Sequence, residues 1–396
     1  MGLHIDLETC SVVDLRRTGV YRYAEDPETH VICACFKMSG DPDVEVWVPG
    51  MPVPPSVTYA VGHGVPIHAW NAQFEAAMWD GVLGPRHGWP SPRPDQFDCT
   101  MARAMYWGWP ASLDMAGTAM GLSIRKDKEG HALMLRMARP RGFDAMNKPI
   151  WWHQTDSAKL AREIAYCQQD VLAEDAVFNR LPELPPVERR LWLLDQKMNR
   201  RGLPVDMQLV RAMQRVSADA EKAIREAMKQ LTNGAVSGPQ SHAALAQWLT
   251  EQGLRLPDLR ADTVKTTLRT LSIEINGLDN GTKRDRLTLI RDVLILRRDG
   301  AKASVAKLKA FAEAVCSDGN VKGMLRYYGA GRTGRWSGAG GAKVQPHNLV
   351  RGTIKRPDQA IGLILSGHNS AELELLFEDS ALGVIASCLR GCFACQ

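Results

Sequence analysis

Apolar residues alternate with polar ones, or run together, in four short segments near the start of the chain: residues 3–8, 31–38 (VICACFKM), 44–48 (VEVWV) and 66–70 (PIHAW). Runs of this length and composition predict strands. The pattern changes to a helical period over 71–83 and 157–180, so strands and helices mix in one α/β unit. The proline cluster LPELPP at 181–186 closes that unit. Beyond it the pattern is almost wholly helical, over 187–201, 206–232, 241–252, 262–271 and 283–315. A glycine-rich stretch at 329–341 breaks the helices, and strand-like or irregular segments are expected from there to 365. The expected organisation is therefore an α/β domain over 1–182, a helical region over 183–320 and a final segment over 321–396.

A length of 396 residues exceeds what one hydrophobic core usually serves and fits that division into two or three domains. The formal charge of +5 is a mild basic bias, which permits a polyanionic partner without requiring one. Nine scattered cysteines, several inside apolar runs, fit reduced thiols better than a disulfide framework. The opening MGLHIDLETC turns acidic at once, unlike a signal peptide, and no apolar run approaches the ~18 residues of a membrane span. The expectation is a cytoplasmic protein with no membrane partner.

Candidate chemistry sits in three places. Asp6 and Glu8 lie two residues apart in the first strand, so both carboxylates leave the same face of a sheet, where one hard cation can bind both. Asn71 and Glu75 are one turn apart if 71–83 is helical, and Tyr166 and Asp170 share that spacing on the late helix. Each pair alone is ordinary: a strand end, a helix cap with a surface carboxylate, a polar helix face.

Together, in this order, the three segments resemble the motifs of proofreading 3′–5′ exonucleases with a ribonuclease H-like fold, over residues 1–180. The resemblance implies two divalent ions, Mg²⁺ with Mn²⁺ as the alternative. Asp6, Glu8, Glu75 and Asp170 would be their ligands, with Tyr166 orienting the attacking water and Asn71 touching DNA. Two ions about 3.5–4 Å apart activate water and stabilise the leaving oxygen in phosphodiester hydrolysis. Glu75 departs from the family, which usually has Asp there. Asp98 and Asp114 read as structural, and Trp107, Trp109, Trp151 and Trp152 as core or half-buried indoles.

The later segments ERRLWLLDQKMNRRGLPVD (188–206), SGPQSHAALAQWLTEQGL (237–254), VLILRRDGAKASVAKLKAF (293–311) and GRTGRWSGAGGAKVQPHNLVRG (331–352) resemble, in order, family A DNA polymerases of phage type with a fused exonuclease. That resemblance implies a helical thumb over 183–320 and the start of a palm over 321–396. Arg332, Thr333, Arg335, Gln345 and Asn348 would contact primer–template DNA, and Lys302, Lys307 and Lys309 its phosphates. Small residues around the arginines would let the backbone approach phosphate closely.

The family's palm motifs, an Asp-Tyr/Phe-Ser-x-Ile-Glu strand and a later His-Asp-Glu, do not occur in the chain. Residues 380–396 resemble the helix preceding the first of them, so polymerisation is not expected from this chain unless a second polypeptide supplies palm and fingers. That terminal helix is expected to be apolar and without a partner. Two other readings stay open: a non-catalytic primer–template-binding remnant or subunit of a split polymerase, and a free-standing exonuclease or RNA-trimming enzyme. Cys388, Cys392 and Cys395 fit an iron–sulfur spacing, but an apolar helix explains them more simply.

Overall fold

The computed structural model describes residues 2–123, 127–301, 304–339, 344–349 and 351–394. Lys302 and Cys395 lie outside them. The chain forms two compact units, Met1–Leu203 with Glu313–His347, and Pro204–Ala312 with Asn348–Gln396.

The first unit is built on five strands: β1 (Leu3–Cys10), β2 (His30–Met38), β3 (Glu45–Trp47), β4 (Ile67–Ala69) and β5 (Phe97–Cys99), in the order β3-β2-β1-β4-β5. β1 to β3 pair antiparallel, whereas β4 joins β1 and β5 joins β4 in parallel. Both faces of β1 and β2 are covered, and β2 accordingly reads as a nearly unbroken apolar run, whereas β1 alternates. β5 has no apolar stretch around it and no counterpart in the sequence reading.

Pleating divides β1 into two unlike faces. Leu3, Ile5 and Leu7 enter an aromatic core with Phe36, Trp47, Trp79 and Trp89. His4, Asp6 and Glu8 face the other way, opposite Lys37, Cys35 and Cys33 of β2. The helices of this unit used below are α1 (Ala72–Met78), α2 (Thr100–Tyr106), α3 (Leu113–Ala119), α4 (Lys128–Met137), α5 (Ser157–Phe178) and α6 (Pro186–Arg201). The helix expected over 71–83 is regular only to Met78; Trp79–Leu83 continues it as a wider π turn. α5 starts where the Asp156 side chain accepts a hydrogen bond from the Lys159 N–H, and it lies across β1 and β2.

α6 docks on the sheet through a buried ionic cluster. Arg189 donates to the carbonyl oxygens of Phe97 (2.6 Å) and Asp95 (2.9 Å) and stands 3.6 Å from Asp98. Asp98 also pairs with Arg103 and lies 3.1 Å from His68. The structural reading of Asp98 therefore has named partners.

The second unit is helical: α7 (Met207–Leu231), α8 (His242–Glu251), α9 (Ala261–Asn276), α10 (Thr282–Gly300), α11 (Ser304–Ala314), α12 (Pro357–Leu365), α13 (Ser370–Phe377) and α14 (Ala381–Cys388). Met228, Leu245, Trp248, Leu268, Ile290 and Leu294 form part of its core. The single helix expected over 283–315 is two helices, and the irregular stretch expected to reach 365 ends in α12. The expectation of an unpartnered terminal helix is overturned: Leu382, Val384, Ile385, Cys388 and Leu389 are buried, and α14 packs on α7, α12 and α13. One partner, α7, lies about 150 residues back in the sequence, and the other two belong to a stretch expected to be irregular or left unassigned, so the helix looked orphaned when read alone. Leu375 and Leu376 of the neighbouring α13 are exposed instead. No helix among the described residues is long and apolar enough to cross a membrane.

Burial alone would raise the Asp98 carboxyl, but interaction with His68 and the charges of Arg103 and Arg189 hold it at about 2. A carboxyl held below its unfolded value stabilises the fold above about pH 4, and that stability is lost as pH falls through 2. Asp98→Asn is expected to cost roughly 3–5 kcal/mol, because Arg103 is left buried without its counter-ion. It should also flatten the acid limb of the stability curve, as measured by urea unfolding at stepped pH.

Candidate active site

The face of the sheet beneath α5 is polar where an α/β protein usually buries aliphatic residues. α5 presents Glu163, Tyr166, Cys167, Asp170 and Glu174 along one buried stripe, at spacings of three, one, three and four residues. Below it stand His4, Asp6 and Glu8 of β1 with Cys33, Cys35 and Lys37 of β2. Glu75 enters from the first turn of α1 and is buried.

The two ends of this face differ in how charge is met. At one end Glu174 Oε2 is 2.6 Å from His4 Nδ1, and its other oxygen accepts from Thr100 Oγ1. Asp175 accepts from Lys37 Nζ at 2.8 Å. At the other end, no Lys, Arg or His among the described residues pairs with Glu8, Glu75 or Glu163. Carboxylate oxygens of Asp6 and Glu8 lie with the Cys167 sulfur within 4.8 Å of one another.

Burial, then the charge of Asp6, pushes Glu8 well above the ordinary carboxylate range, with Glu163, Cys33 and Asp170 adding to the shift. Burial and then Asp6 likewise raise Glu75. Burial lifts Glu163 to about 8. The Tyr166 phenol is also raised, by burial first and then by the charges of Asp170 and Glu8. Burial is the largest cause of all these shifts; neighbouring carboxylates add to it for Glu8, Glu75 and Tyr166, and the charge of Arg162 partly offsets it for Glu163.

Glu75 Oε2 and both oxygens of Glu163 are buried with no hydrogen-bond partner among the described residues. Orphaned carboxylate oxygens converging with further carboxylates are what a hard divalent cation would satisfy, so the donor set fits Mg²⁺ or Mn²⁺. A cavity of about 420 Å³ opens beside them, lined by Asp6, Asp170, Trp70, Asp114 and His131 among others.

The structure thus brings Asp6, Glu8, Glu75, Tyr166 and Asp170 to one place. It does not put Asn71 there. Asn71 is exposed at the N-cap of α1, outside the helix, so it does not share a face with Glu75. It lines a separate cavity of about 190 Å³ with Phe74, Trp192, Asp195, Arg326 and Tyr327. The sequence reading missed Glu163 and His131 and gave Asp114 only a structural role. The available signal for Glu163 was its position seven residues before Asp170 on the same helical stripe. Trp151 is buried, whereas Trp107 is 43% exposed, more than the half-buried indole expected.

Tyr166 is fixed by a close approach. A Cβ added at Gly130 of α4 would meet the Tyr166 ring at 2.4 Å, so only glycine lets α4 lie this near α5. Asp127 secures that end of α4 by accepting from the N–H groups of Glu129 (3.1 Å) and Gly130 (3.0 Å).

The glycine-arginine stretch forms a hairpin, β6 (Leu325–Ala330) and β7 (Arg335–Gly338). Arg332, Thr333 and Arg335 are exposed at and beside its turn, and neither arginine is paired with a carboxylate among the described residues. The bareness of the backbone is partly used within the hairpin. A Cβ at Gly329 would meet Ser337 Oγ at 2.0 Å, and one at Gly334 would meet the Tyr328 ring at 2.7 Å. Trp336 anchors the hairpin by donating to Asp195 of α6 at 2.7 Å. Asp195 also accepts from Gln196 and Asn199. Gln345 is buried and donates to the Ala339 carbonyl oxygen at 2.7 Å. Asn348 belongs to the second unit and is exposed there, as is Lys309, while Lys307 is half-buried.

No protein-family model matches the chain. It is 33% identical over 389 residues to a protein named DNA polymerase from Bacillus phage SP02, an alignment covering 95% of this chain and 55% of that protein. The chain therefore spans about half the length of that relative. Among solved structures it is similar to the POL domain of Pol1 from M. smegmatis in complex with DNA primer–template and dNTP. That match covers 85% of this chain and 50% of the other at 14% identity, and its TM-score of 0.46 is too low to define a shared fold.

Two variants test the local geometry. Gly130→Ala is expected to displace the Tyr166 ring and lower stability by about 1–3 kcal/mol, measured by denaturant unfolding and by the fluorescence of the buried phenol. Asp195 is raised to about 7 by burial, against the hydrogen bonds from Trp336, Gln196 and Asn199. Its ionisation therefore opposes folding above that pH, and the penalty disappears as pH falls from 7 toward the ordinary carboxylate value. Asp195→Asn should remove a rise in wild-type stability on the order of 4 kcal/mol across that window, measured by thermal melts at stepped pH.

Proposed function

We propose that this chain is part of a family A DNA polymerase acting in DNA replication, whose first 182 residues form a ribonuclease H-like 3′–5′ exonuclease. The helical segment 183–320 and the segment 321–396 act as its thumb and the start of its palm, and they hold primer–template DNA. One observation carries the nuclease reading: Asp6, Glu8, Glu75 and Asp170 converge with Tyr166 in one buried cluster, where Glu75 Oε2 and both oxygens of the adjacent Glu163 have no hydrogen-bond partner among the described residues. The 33% identity to a phage DNA polymerase along 95% of the chain supports the wider reading.

In this mechanism Asp6, Glu8, Glu75 and Asp170 hold two Mg²⁺ ions, or Mn²⁺. When bound, the ions supply activation of water and stabilisation of the departing 3′ oxygen. Tyr166 keeps its proton near neutral pH and orients water by hydrogen bonding, positioned by Gly130. The glutamate at 75 carries one more methylene than aspartate, and its place in the first turn of α1 still brings the carboxylate into the buried cluster. The cavity between Trp70, Asp114 and His131 admits the single-stranded 3′ end.

Arg332, Thr333 and Arg335 on the hairpin turn, with Asn348, contact the primer–template, whereas Gln345, buried and bonded to the Ala339 carbonyl oxygen, supports its own segment instead. Lys307 and Lys309 add phosphate contacts that carry no sequence information. For the two arginines the basis is their exposure and lack of carboxylate partners among the described residues.

Degradation of a 3′-recessed, mismatched primer by the purified chain, with Mg²⁺ and with chelator, tests the nuclease. Shortening is expected only with Mg²⁺, and Asp6→Ala plus Asp170→Ala should reduce it at least roughly 100-fold. Unchanged metal-dependent shortening in that double variant would sink the assignment; DNA binding without shortening would leave a non-catalytic module. Separately, Arg335→Ala should weaken duplex binding and reduce its log–log salt slope by about one. Hydrolysis of short single strands should stay nearly intact.

A further inference from the structure

Next to the carboxylates, on the same face of β1 and β2, three thiols meet. Cys35 and Cys33 stand opposite Asp6 and Glu8 in the β1–β2 ladder, and Cys167 descends on them from α5. All three are fully buried, and their sulfur atoms lie within 4.8 Å of one another. Cys167 Sγ is also 3.5 Å from Asp6 Oδ2. Val44, Val46, Val48 and Ile164 pack around the cluster and keep it dry.

We propose that Cys33, Cys35 and Cys167 form a soft-metal site that takes a thiophilic divalent cation of the zinc class, with Asp6 as the fourth donor. A tetrahedral ion with metal–sulfur bonds of about 2.3 Å sets its sulfurs roughly 3.8 Å apart, and an oxygen at about 2.0 Å from the ion lies roughly 3.5 Å from each sulfur. The Asp6–Cys167 separation already has that value; the three sulfurs form one group within 4.8 Å and Asp6 groups with Cys167 but not with all three, so the thiols and the Asp6 carboxylate close on the ion by side-chain rotation. Binding releases the thiol protons to solvent and transfers no electrons. Mg²⁺ prefers oxygen donors in octahedral array and does not compete for the sulfurs.

The site stands on the sulfur geometry and does not depend on the nuclease reading. It bears on that reading at one atom group only: a soft ion that recruits Asp6 withdraws that carboxylate from the neighbouring cluster.

The test is titration of the reduced, full chain with Co²⁺, followed by ultraviolet thiolate-to-metal charge transfer and the visible bands of tetrahedral cobalt. One equivalent is expected to develop both signals, Zn²⁺ to displace it one for one, and excess Mg²⁺ to leave it unchanged. Cys167→Ser should weaken Zn²⁺ binding at least roughly 100-fold, whereas Asp170→Ala should leave the charge-transfer band in place. Absence of a charge-transfer band in the wild-type chain at one equivalent overturns the proposal without any variant. So does a band that persists undiminished in Cys167→Ser. Because the readout is spectroscopic, its failure is distinct from a failure to degrade DNA.

Discussion

Carboxyl groups buried without a basic partner are the constraint around which the first unit is organised. Glu8, Glu75 and Glu163 are removed from water beside Asp6 and Asp170, and no described basic side chain pairs with those three glutamates. Such an arrangement is costly and persists only when the surrounding structure holds the groups in place. The other face of the sheet supplies that hold, with Leu3, Ile5, Leu7 and a cluster of indoles packed at full burial. Along α5 the same stripe changes character within about three turns, from orphaned Glu163 to Glu174, which meets His4 and Thr100. One end of the helix is therefore pinned by ion pairs while the other presents unsatisfied oxygen.

The hairpin at 325–338 solves a different problem with the same economy. Its glycines do not leave an open groove at every position: Tyr328 occupies the space beside Gly334, and Ser337 that beside Gly329. Self-packing frees the turn to project Arg332 and Arg335 outward, and the Trp336 indole ties β7 to α6 through Asp195. A basic turn on a rigid base loses less conformational entropy on meeting phosphate than a mobile loop would.

Several features were legible in the residues. β1 to β4 and the long helices appeared at their places because period two and period 3.6 are local properties, visible in a window of ten to twenty residues. Short β5 and the π turn after Met78 were not: Phe97-Asp98-Cys99 has no apolar stretch around it such as flanks the equally short β3 and β4, and the π turn keeps a helical pattern. The break near residue 301, which splits one expected helix into two, also left no local signal strong enough to place it.

By itself, the sequence determined which residues share a strand face or a helix stripe: Asp6 with Glu8, and Tyr166 with Asp170. Those relations follow from backbone geometry alone. Only the tertiary structure decided which stripes meet. It brought Glu163 into the carboxylate cluster, left Asn71 outside it, gave α14 buried partners, and stacked Cys167 on Cys33 and Cys35. The carboxylate cluster, the thiol cluster and the α7–α14 contact join segments more than a hundred residues apart, and the place of Asn71 depends on the point where a helix begins. Such meetings are set by side-chain volume and close packing across elements, which no periodicity along the chain records.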